Sequence, residues 1–446
     1  MKPIFKEELE FLNLKLGINL PKNCWRNGNK IYLNHCDKKP FLTFKVNLMN
    51  NEIIINKYNE PNLKENLTFE EEYELIKNKI NDNIKLSIDK TKEYVLQHLD
   101  LKMFVSISGG KDSDVMKYIV DIALEELKQK GYDLNYNLIA FNTTNETSDT
   151  YKYLKKHHHM TKENIISPKI GFYQWIVKDK NYFTPSMLVR NCCEIYKEGQ
   201  LKTIMNKDET TLTFLGMRSN ESWKRKFYDW DLNDAYIKEK GKANFPVNWL
   251  RFLPIVKWTD EEIWLFILHN KLNYNHMYNL GFDRVGCAIC PYMTDYTELL
   301  VRYNYPKRYK KWEDILEKRY EIYDVQKKLK WTKQEWCNGG KWKLAMSKEY
   351  ELISRNPTNE RIKELAKIKG ISEDMAKKYF KKKCKCGKKL NPSEISMFLK
   401  IFGRYEDTED NRQYLCKKCL CEELDITSKE YREKMIQFTN EGCELF

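Results

Sequence analysis

The six residues Ser108-Gly109-Gly110-Lys111-Asp112-Ser113 constrain this chain more than any others. They close a short apolar run, Met103-Phe104-Val105-Ser106-Ile107-Ser108, and open a stretch from Asp112 to Lys130 with helical apolar spacing. A strand that passes through two glycines into a helix gathers free backbone N–H groups at the positive end of the helix dipole, which suits an anion. Ser108, Lys111 and Ser113 add further donors. The spacing is not the G-x-x-x-x-G-K-[ST] of a Walker A loop. A plain Gly-Gly turn with Asp112 or Ser113 as helix cap is the alternative. The apolar strand in front of the loop favours nucleotide binding.

Around this loop strands and helices alternate. Leu138–Asn142 reads as a second strand, Ser148–His158 as a second helix, Thr211–Gly216 as another strand and 259–270 as a helix after Trp258. Alternation of this kind predicts an α/β fold, a parallel twisted sheet with helices on both faces and ligands beyond the carboxyl ends of the strands. Five segments are expected. Residues 1–60 form a small β-rich appendage with strands near 30–33, 41–46 and 53–55. Residues 61–98 form an amphipathic helix linker with Leu75, Ile76, Ile80, Ile84 and Ile88 on one face. The catalytic domain covers 99–300, a helical basic region 301–383, and a zinc-binding domain 384–446.

The loop resembles that of the PP-loop ATP pyrophosphatases, and within them the phosphoadenosine phosphosulfate (PAPS) reductase family. The resemblance runs from about 100 to 293. It takes in Phe141-Asn142-Thr143-Thr144-Asn145-Glu146, then Gly216-Met217-Arg218-Ser219-Asn220-Glu221-Ser222, similar to the family's G-x-R-x-x-E-S. It continues through Pro254-Ile255 with Trp258-Thr259, Glu262-Ile263-Trp264, and Asn275 to Pro291 with Tyr278, Gly281, Arg284, Gly286, Cys287 and Cys290. The resemblance implies nucleotide binding by Ser108, Gly109, Gly110, Lys111, Asp112, Ser113, Thr143, Gly216 and Arg218. It implies catalytic roles for Lys111, Asp112, Ser113, Arg218 and Arg284, with the arginines facing anionic groups and Asp112 as a Mg²⁺ ligand. For both arginines an ion pair is the alternative. Sulfonucleotide reductases of the family usually carry a degenerate loop. The intact Ser-Gly-Gly-Lys-Asp-Ser favours ATP.

Thirteen cysteines without a secretion signal argue for metal or redox sites rather than disulfides. Cys192, Cys193, Cys287 and Cys290 resemble the [4Fe–4S] ligands of adenylyl-sulfate reductases; structural zinc and separate buried thiols are the alternatives. Cys384-x-Cys386 and Cys416-x-x-Cys419 read as two knuckles of a zinc-ribbon-like domain, with Cys421 able to replace Cys419. The reductases place a nucleophilic cysteine in a short C-terminal motif. Here Cys443 sits in Glu441-Gly442-Cys443-Glu444, similar in residue types but not in order, and reads as a tail thiol.

The formal charge is +14, and residues 301–383 hold 24 Lys and Arg against 12 Asp and Glu. A partner bearing phosphates would meet the chain there. Arg302, Arg308, Lys310 and Lys311 lie in an aromatic-interleaved stretch with Tyr303, Tyr305, Tyr309 and Trp312, suited to phosphate contact and base stacking. Leu365–Ala376 resembles a helix-hairpin-helix with Lys369 and Gly370 at its turn. A solvated helical face is the alternative. His157-His158-His159 reads as a solvated helix end.

No apolar run approaches a membrane span, and the first residues lack a signal-peptide core, so a cytoplasmic protein without membrane contact is expected. The function expected is a PAPS-reductase-family ATP pyrophosphatase. It would cleave ATP to AMP and pyrophosphate and activate an acceptor for sulfur transfer, on nucleic acid of the DNA-phosphorothioation or RNA-thiolation type. Its cofactors would be ATP with Mg²⁺, a [4Fe–4S] cluster and Zn²⁺, and its partners a nucleic acid and a sulfur donor such as a cysteine desulfurase. A sulfonucleotide reductase releasing sulfite and a non-catalytic nucleotide-sensing nucleic-acid binder are the alternatives.

Overall fold

Short runs of β-branched and aromatic residues, broken by Gly and Asn, build the first sheet. A computed structural model describes the chain except residues 188, 201–208, 222–224, 227, 233–248, 345, 355–356, 381–383, 389, 403–413 and 441–446. Cys443 and Ser222 lie outside the described residues. Strands β1 (Lys2–Pro3), β2 (Trp25–Asn27), β3 (Lys30–Tyr32), β4 (Leu42–Asn47) and β5 (Glu52–Tyr58) follow one another antiparallel, in chain order. Gly28, at φ 58°, makes the tight turn between β2 and β3. Helix α1 (Lys6–Leu16) separates β1 from β2 and ends on Gly17 in the left-handed conformation.

Helix α2 (Phe69–Leu96) starts at a capping box between Thr68 and Glu71. Its buried face is Tyr73, Ile80, Ser87, Ile88, Thr91 and Val95, whereas Leu75 is 64% exposed. The expected linker is therefore part of the core. Ser87 Oγ accepts the Trp258 indole N–H at 3.0 Å, and Glu72 accepts the Trp25 indole N–H at 2.6 Å.

The second sheet has the order β10-β9-β6-β7-β8, with every pairing parallel. It comprises β6 (Lys102–Ser106), β7 (Tyr136–Phe141), β8 (Ile165–Ile166), β9 (Thr211–Phe214) and β10 (Trp249–Phe252). Helices α3 (Lys111–Gln129) and α4 (Ser148–His157) form the first two crossovers. The chain walks outward through β7 and β8, then returns to the other side of β6 for β9 and β10. The direction reverses between β6 and β9, which opens a crevice at their carboxyl ends.

The chain divides into one unit of 1–181 with 191–312, and another of 182–190 with 313–446. The expected segments bounded at 60, 98, 300 and 383 are finer than these two units. The first unit includes the N-terminal sheet, which is no appendage. Arg26 on β2, fully buried, donates to Glu8 Oε1 at 2.6 Å, Asp283 Oδ1 at 2.7 Å and Gly281 O at 2.7 Å. Lys2 pairs with the same Glu8 and donates to Tyr278 O at 3.1 Å. Tyr296 donates to Glu8 at 3.1 Å and lies beneath the Arg26 guanidinium. Gly281, at φ 99°, lets Glu8 approach, since a Cβ there would stand 3.0 Å from its carboxyl carbon.

In the second unit, one buried cluster forms around Leu352, Ile362, Leu365 and Ala376, and another around Met397, Phe398, Tyr414 and Leu420. Arg319 donates to both Thr184 oxygens, which fastens residues 182–190 into that unit.

Removing one partner from a buried charge network leaves the others uncompensated. Arg26→Met is expected to cost about 3 kcal/mol in urea unfolding. Burial alone would raise the Glu8 carboxyl, but Arg26 and Lys2 outweigh it and hold it below the usual range. Its stabilisation is thus full above about pH 4.3 and lost as pH falls through the lowered folded value. Glu8→Gln should flatten that acid limb of the stability curve.

Candidate functional site

Strand β6 delivers the chain to Gly109, whose φ of 75° lies in the left-handed region. A Cβ there would stand 3.2 Å from Thr150 Cγ2. Gly110 then caps α3. The loop is bound by its own side chains. Ser108 N donates to Ser113 Oγ at 3.2 Å, Gly110 N to Ser108 Oγ at 3.3 Å, and Ser113 Oγ to Gly110 O at 2.7 Å. Two residues from the Asn275–Tyr278 turn hold it from outside. Lys111 N donates to Tyr278 Oη at 3.0 Å, and Asn275 Nδ2 donates to Gly109 O at 3.1 Å. Gly216, just past β9, lies against the start of α3, where a Cβ would stand 2.8 Å from Asp112 C and O and Ser113 N. Only glycine fits there.

Beside the loop, at the carboxyl ends of β6 and β7, is a cavity of about 200 Å³. Of the residues expected at the nucleotide, Ser108 and Thr143 line it, together with Glu146, Tyr151, Lys197 and Gly286. Glu146 accepts from Thr143 N at 3.0 Å and from Tyr151 Oη at 2.8 Å.

Lys111 and Arg218 stand elsewhere. The Lys111 ammonium contacts Asp112 at 2.8 Å and Asp260 at 2.9 Å. Arg218 donates from Nε to Asp112 at 2.7 Å, from one terminal nitrogen to Asp260 at 2.6 Å, and from the other to Trp258 O at 3.3 Å. Arg218 is therefore an internal ion pair rather than an open anion clamp, because two carboxylates already fill its fork. Burial would lower the Lys111 proton affinity and raise that of Asp260. The opposite charges win in both cases, so Lys111 is held above its usual range and Asp260 below. Arg284 is exposed and within electrostatic reach of Lys197 and Arg225, so it adds to a cationic group at the cavity side.

The Cys287–Cys290 loop is clamped to the segment after β7. Ala288 N donates to Asn145 O at 2.7 Å, Asn145 Nδ2 donates to Ile289 O at 2.7 Å, and Thr143 Oγ1 lies 3.6 Å from Cys287 Sγ. The Cys192 thiol is held above its usual range by its hydrogen bond with Cys193, by burial, and by Cys287 and Cys290. The two pairs thus share one neighbourhood. Lys197 follows one helical turn after Cys193, and Cys287 is the chief reason its proton is held more tightly. Sequence reading passed over Lys197, Tyr151 and Asp260. Lys197 carried a signal in its spacing from Cys193.

Cys384, Cys386, Cys416 and Cys419 form a second set, with all four sulfurs within 4.8 Å of one another and Cys386 and Cys416 3.8 Å apart. A tetrahedral ion with Zn–S bonds of about 2.3 Å places its thiolates about 3.8 Å apart. Burial would raise Cys384, but the N–H groups of Cys386 and Cys416 outweigh it and lower the thiol to about 6. The set fits a single soft cation. Cys416 caps the helix Lys417–Glu423 that bears Cys419, and among the described residues from 384 onward there is no strand. Cys421 stands outside this set.

The basic stretch divides. Arg302 is turned inward, donating to Leu48 O at 2.7 Å, Glu298 at 2.8 Å and Tyr309 Oη at 2.8 Å. It is a structural anchor and not a phosphate contact. Tyr309 and Trp312 are core, and Tyr305 donates to Asp149 at 2.6 Å. Lys310 and Lys311 are exposed, and Arg308 is half-buried within reach of Tyr151 and Tyr173. In the other unit Lys369 pairs with Glu349 at 2.9 Å, and Gly370, at φ 66°, closes the helix Asn359–Lys369. His158 is half-buried and meets Asp114 at 2.9 Å, while His159 at the end of the run is exposed.

A parallel sheet whose central strand feeds Ser-Gly-Gly-Lys-Asp-Ser into a helix, with a glycine from the next strand packed on that helix, defines a PP-loop nucleotide domain. Residues 102–293 match the phosphoadenosine phosphosulfate reductase domain family, so this part of the chain is a domain of that family within the PP-loop superfamily. An uncharacterized protein of Methanocaldococcus jannaschii is 30% identical over 58% of this chain and 48% of its own length. A second from the same organism is 28% identical over 57% and 59%. The chain thus spans about half the length of these curated relatives. The adenosine 5'-phosphosulfate reductase of Pseudomonas aeruginosa is 25% identical, over 45% of this chain and 72% of the reductase. Among the described residues no helix is long and apolar enough to cross a membrane.

Gly216→Ala is expected to displace the start of α3, to reduce ATP binding at least ten-fold and to lower the melting temperature. Titration calorimetry and thermal unfolding read the two effects separately.

Proposed function

We propose that this protein is an ATP pyrophosphatase that cleaves ATP to AMP and pyrophosphate and so activates a nucleic-acid acceptor for sulfur transfer, of the DNA-phosphorothioation or RNA-thiolation type. One observation carries the reading. The intact phosphate loop and the Cys287–Cys290 loop adjoin one cavity, the former through Ser108 and the latter through its hydrogen bonds to Thr143 and Asn145. Backbone N–H groups at the start of α3 and the Ser108 and Ser113 hydroxyls stabilise charge on leaving pyrophosphate, a preorganised electrostatic role. Lys197 and Arg284 draw the polyanion in. Asp112 already accepts from two cations, so it does not fit the role of magnesium ligand. Mg²⁺ enters with the ATP phosphates as part of the substrate.

Cys192, Cys193, Cys287 and Cys290 would hold a [4Fe–4S] cluster, which supplies sulfur-carrying or redox chemistry when bound. The residues fit it, because four soft thiolates are gathered in one neighbourhood, with Cys192 hydrogen-bonded to Cys193 and in electrostatic reach of Cys287 and Cys290. Arg308, Lys310 and Lys311 offer charge to a nucleic-acid backbone on the same unit; on the other, Lys369 does so beside its pairing with Glu349, and Gly370 leaves open space for a phosphate at the turn. A cysteine desulfurase would donate the sulfur. The likeness to adenosine 5'-phosphosulfate reductases supports a second reading, reduction of a sulfonucleotide to sulfite.

Anaerobic incubation with ATP and DNA or RNA, read by mass spectrometry, is expected to give AMP, pyrophosphate and a sulfur-bearing acceptor. Ser113→Ala should abolish pyrophosphate release. Sulfite from adenylyl sulfate, without ATP cleavage, selects the reductase.

Anaerobically purified protein is expected to carry about four irons and one zinc per chain by elemental analysis. Cys290→Ser should remove iron alone, and Cys386→Ser zinc alone. Zinc at both sets would overturn the redox part.

A further inference from the structure

Lys111, Asp112, Arg218 and Asp260 close a ring of alternating charge at the base of the phosphate loop. Four contacts of 2.6 to 2.9 Å join each cation to both carboxylates. The ring sums to zero. Asp112 is tied to the loop by sequence, but Asp260 comes from the first turn of another helix, Asp260–His269. The Thr259–Glu262 capping box fixes the start of that helix. Asp260 is also the outermost member, with its side chain 45% exposed against 5% for Lys111, 2% for Arg218 and 20% for Asp112. It opens onto a second cavity of about 280 Å³, which Lys111 lines as well.

We propose that Asp260 is a positioning residue that sets the charge of the phosphate loop. It competes with pyrophosphate for Lys111 and Arg218 and so limits how tightly the leaving group is held. The proposal rests on the ATP-pyrophosphatase reading. No bond forms or breaks in it; a carboxylate and a pyrophosphate exchange places on two fixed cations. With Asp260 present, the loop offers an anion its backbone dipoles and hydroxyls from above a neutral ring. Without it the ring carries a net positive charge, and Lys111 and Arg218 each lose one of their two carboxylates. One uncompensated charge in part-buried surroundings is worth on the order of ten-fold in anion affinity.

The test uses the full chain and inorganic pyrophosphate, by titration calorimetry, beside steady-state ATP cleavage. Asp260→Asn is expected to tighten pyrophosphate about ten-fold and to lower both KM and kcat, because release slows. Asp260→Glu should restore both. A carboxylate that only supported the loop would give weaker binding and a higher KM on removal, and that result overturns the proposal. In a Lys111→Met background the effect of Asp260→Asn should largely disappear; undiminished tightening there also overturns it. Asp260→Ser makes the same charge change if the Asn variant does not fold. Wild-type protein that neither binds pyrophosphate nor cleaves ATP removes the functional reading and this role together. Wild-type protein that does both, with Asp260→Asn unchanged, removes only the role of Asp260.

Discussion

Arg26, with no exposed side-chain surface, holds two parts of the chain together that are some 250 residues apart in sequence. Its guanidinium joins Glu8 on α1 to Asp283 and the Gly281 carbonyl, and Lys2 joins the same Glu8 to the Tyr278 carbonyl. Tyr278 in turn takes the Lys111 N–H of the phosphate loop, and Asn275 takes the Gly109 carbonyl. Beyond Asp283 come Arg284, Cys287 and Cys290. The buried charges therefore fix the segment that braces the phosphate loop and carries one cysteine pair. Such a network costs desolvation, which only full pairing and hydrogen bonding offset. The small N-terminal sheet exists, on this account, to deliver Arg26 and to cover that pairing from water.

The two cysteine sets are placed differently. Thiolates on one tetrahedral ion must nearly touch, and the 384–419 set does so. The Cys192/Cys193 and Cys287/Cys290 pairs share one neighbourhood in the other unit. Placement follows the same division. The second set organises a small helical cluster around Met397 and Phe398. Cys287 of the first set lies against Thr143 in the wall of the cavity beside the phosphate loop.

The loop, its strand and its helix were legible in sequence because each signal is local: an apolar run, two glycines, a helical period. The parallel sheet followed from alternation. Where reading failed, the deciding contacts were distant. Helix α2 has a clean amphipathic face, but Leu75 on that face is exposed and Ser87 is buried, because Trp258 reaches across to bond it. Arg302 and Arg218 read as anion-facing, and both point inward, since the carboxylates that claim them, Asp260 among them, lie in other elements or on the next helical turn. Tyr309 and Trp312 read as a stacking surface and are core.

Sequence by itself determined the class of fold, the phosphate loop and the family, because residue spacing alone sets a strand–loop–helix and a pair of cysteine knuckles. Tertiary structure decided which charges remain open to a ligand. A cation in sequence has no partner assigned to it. Burial forces each enclosed charge to find one, so only the folded chain separates Arg218, Arg302 and Lys111, which are paired within, from Arg284 and Lys311, which face outward.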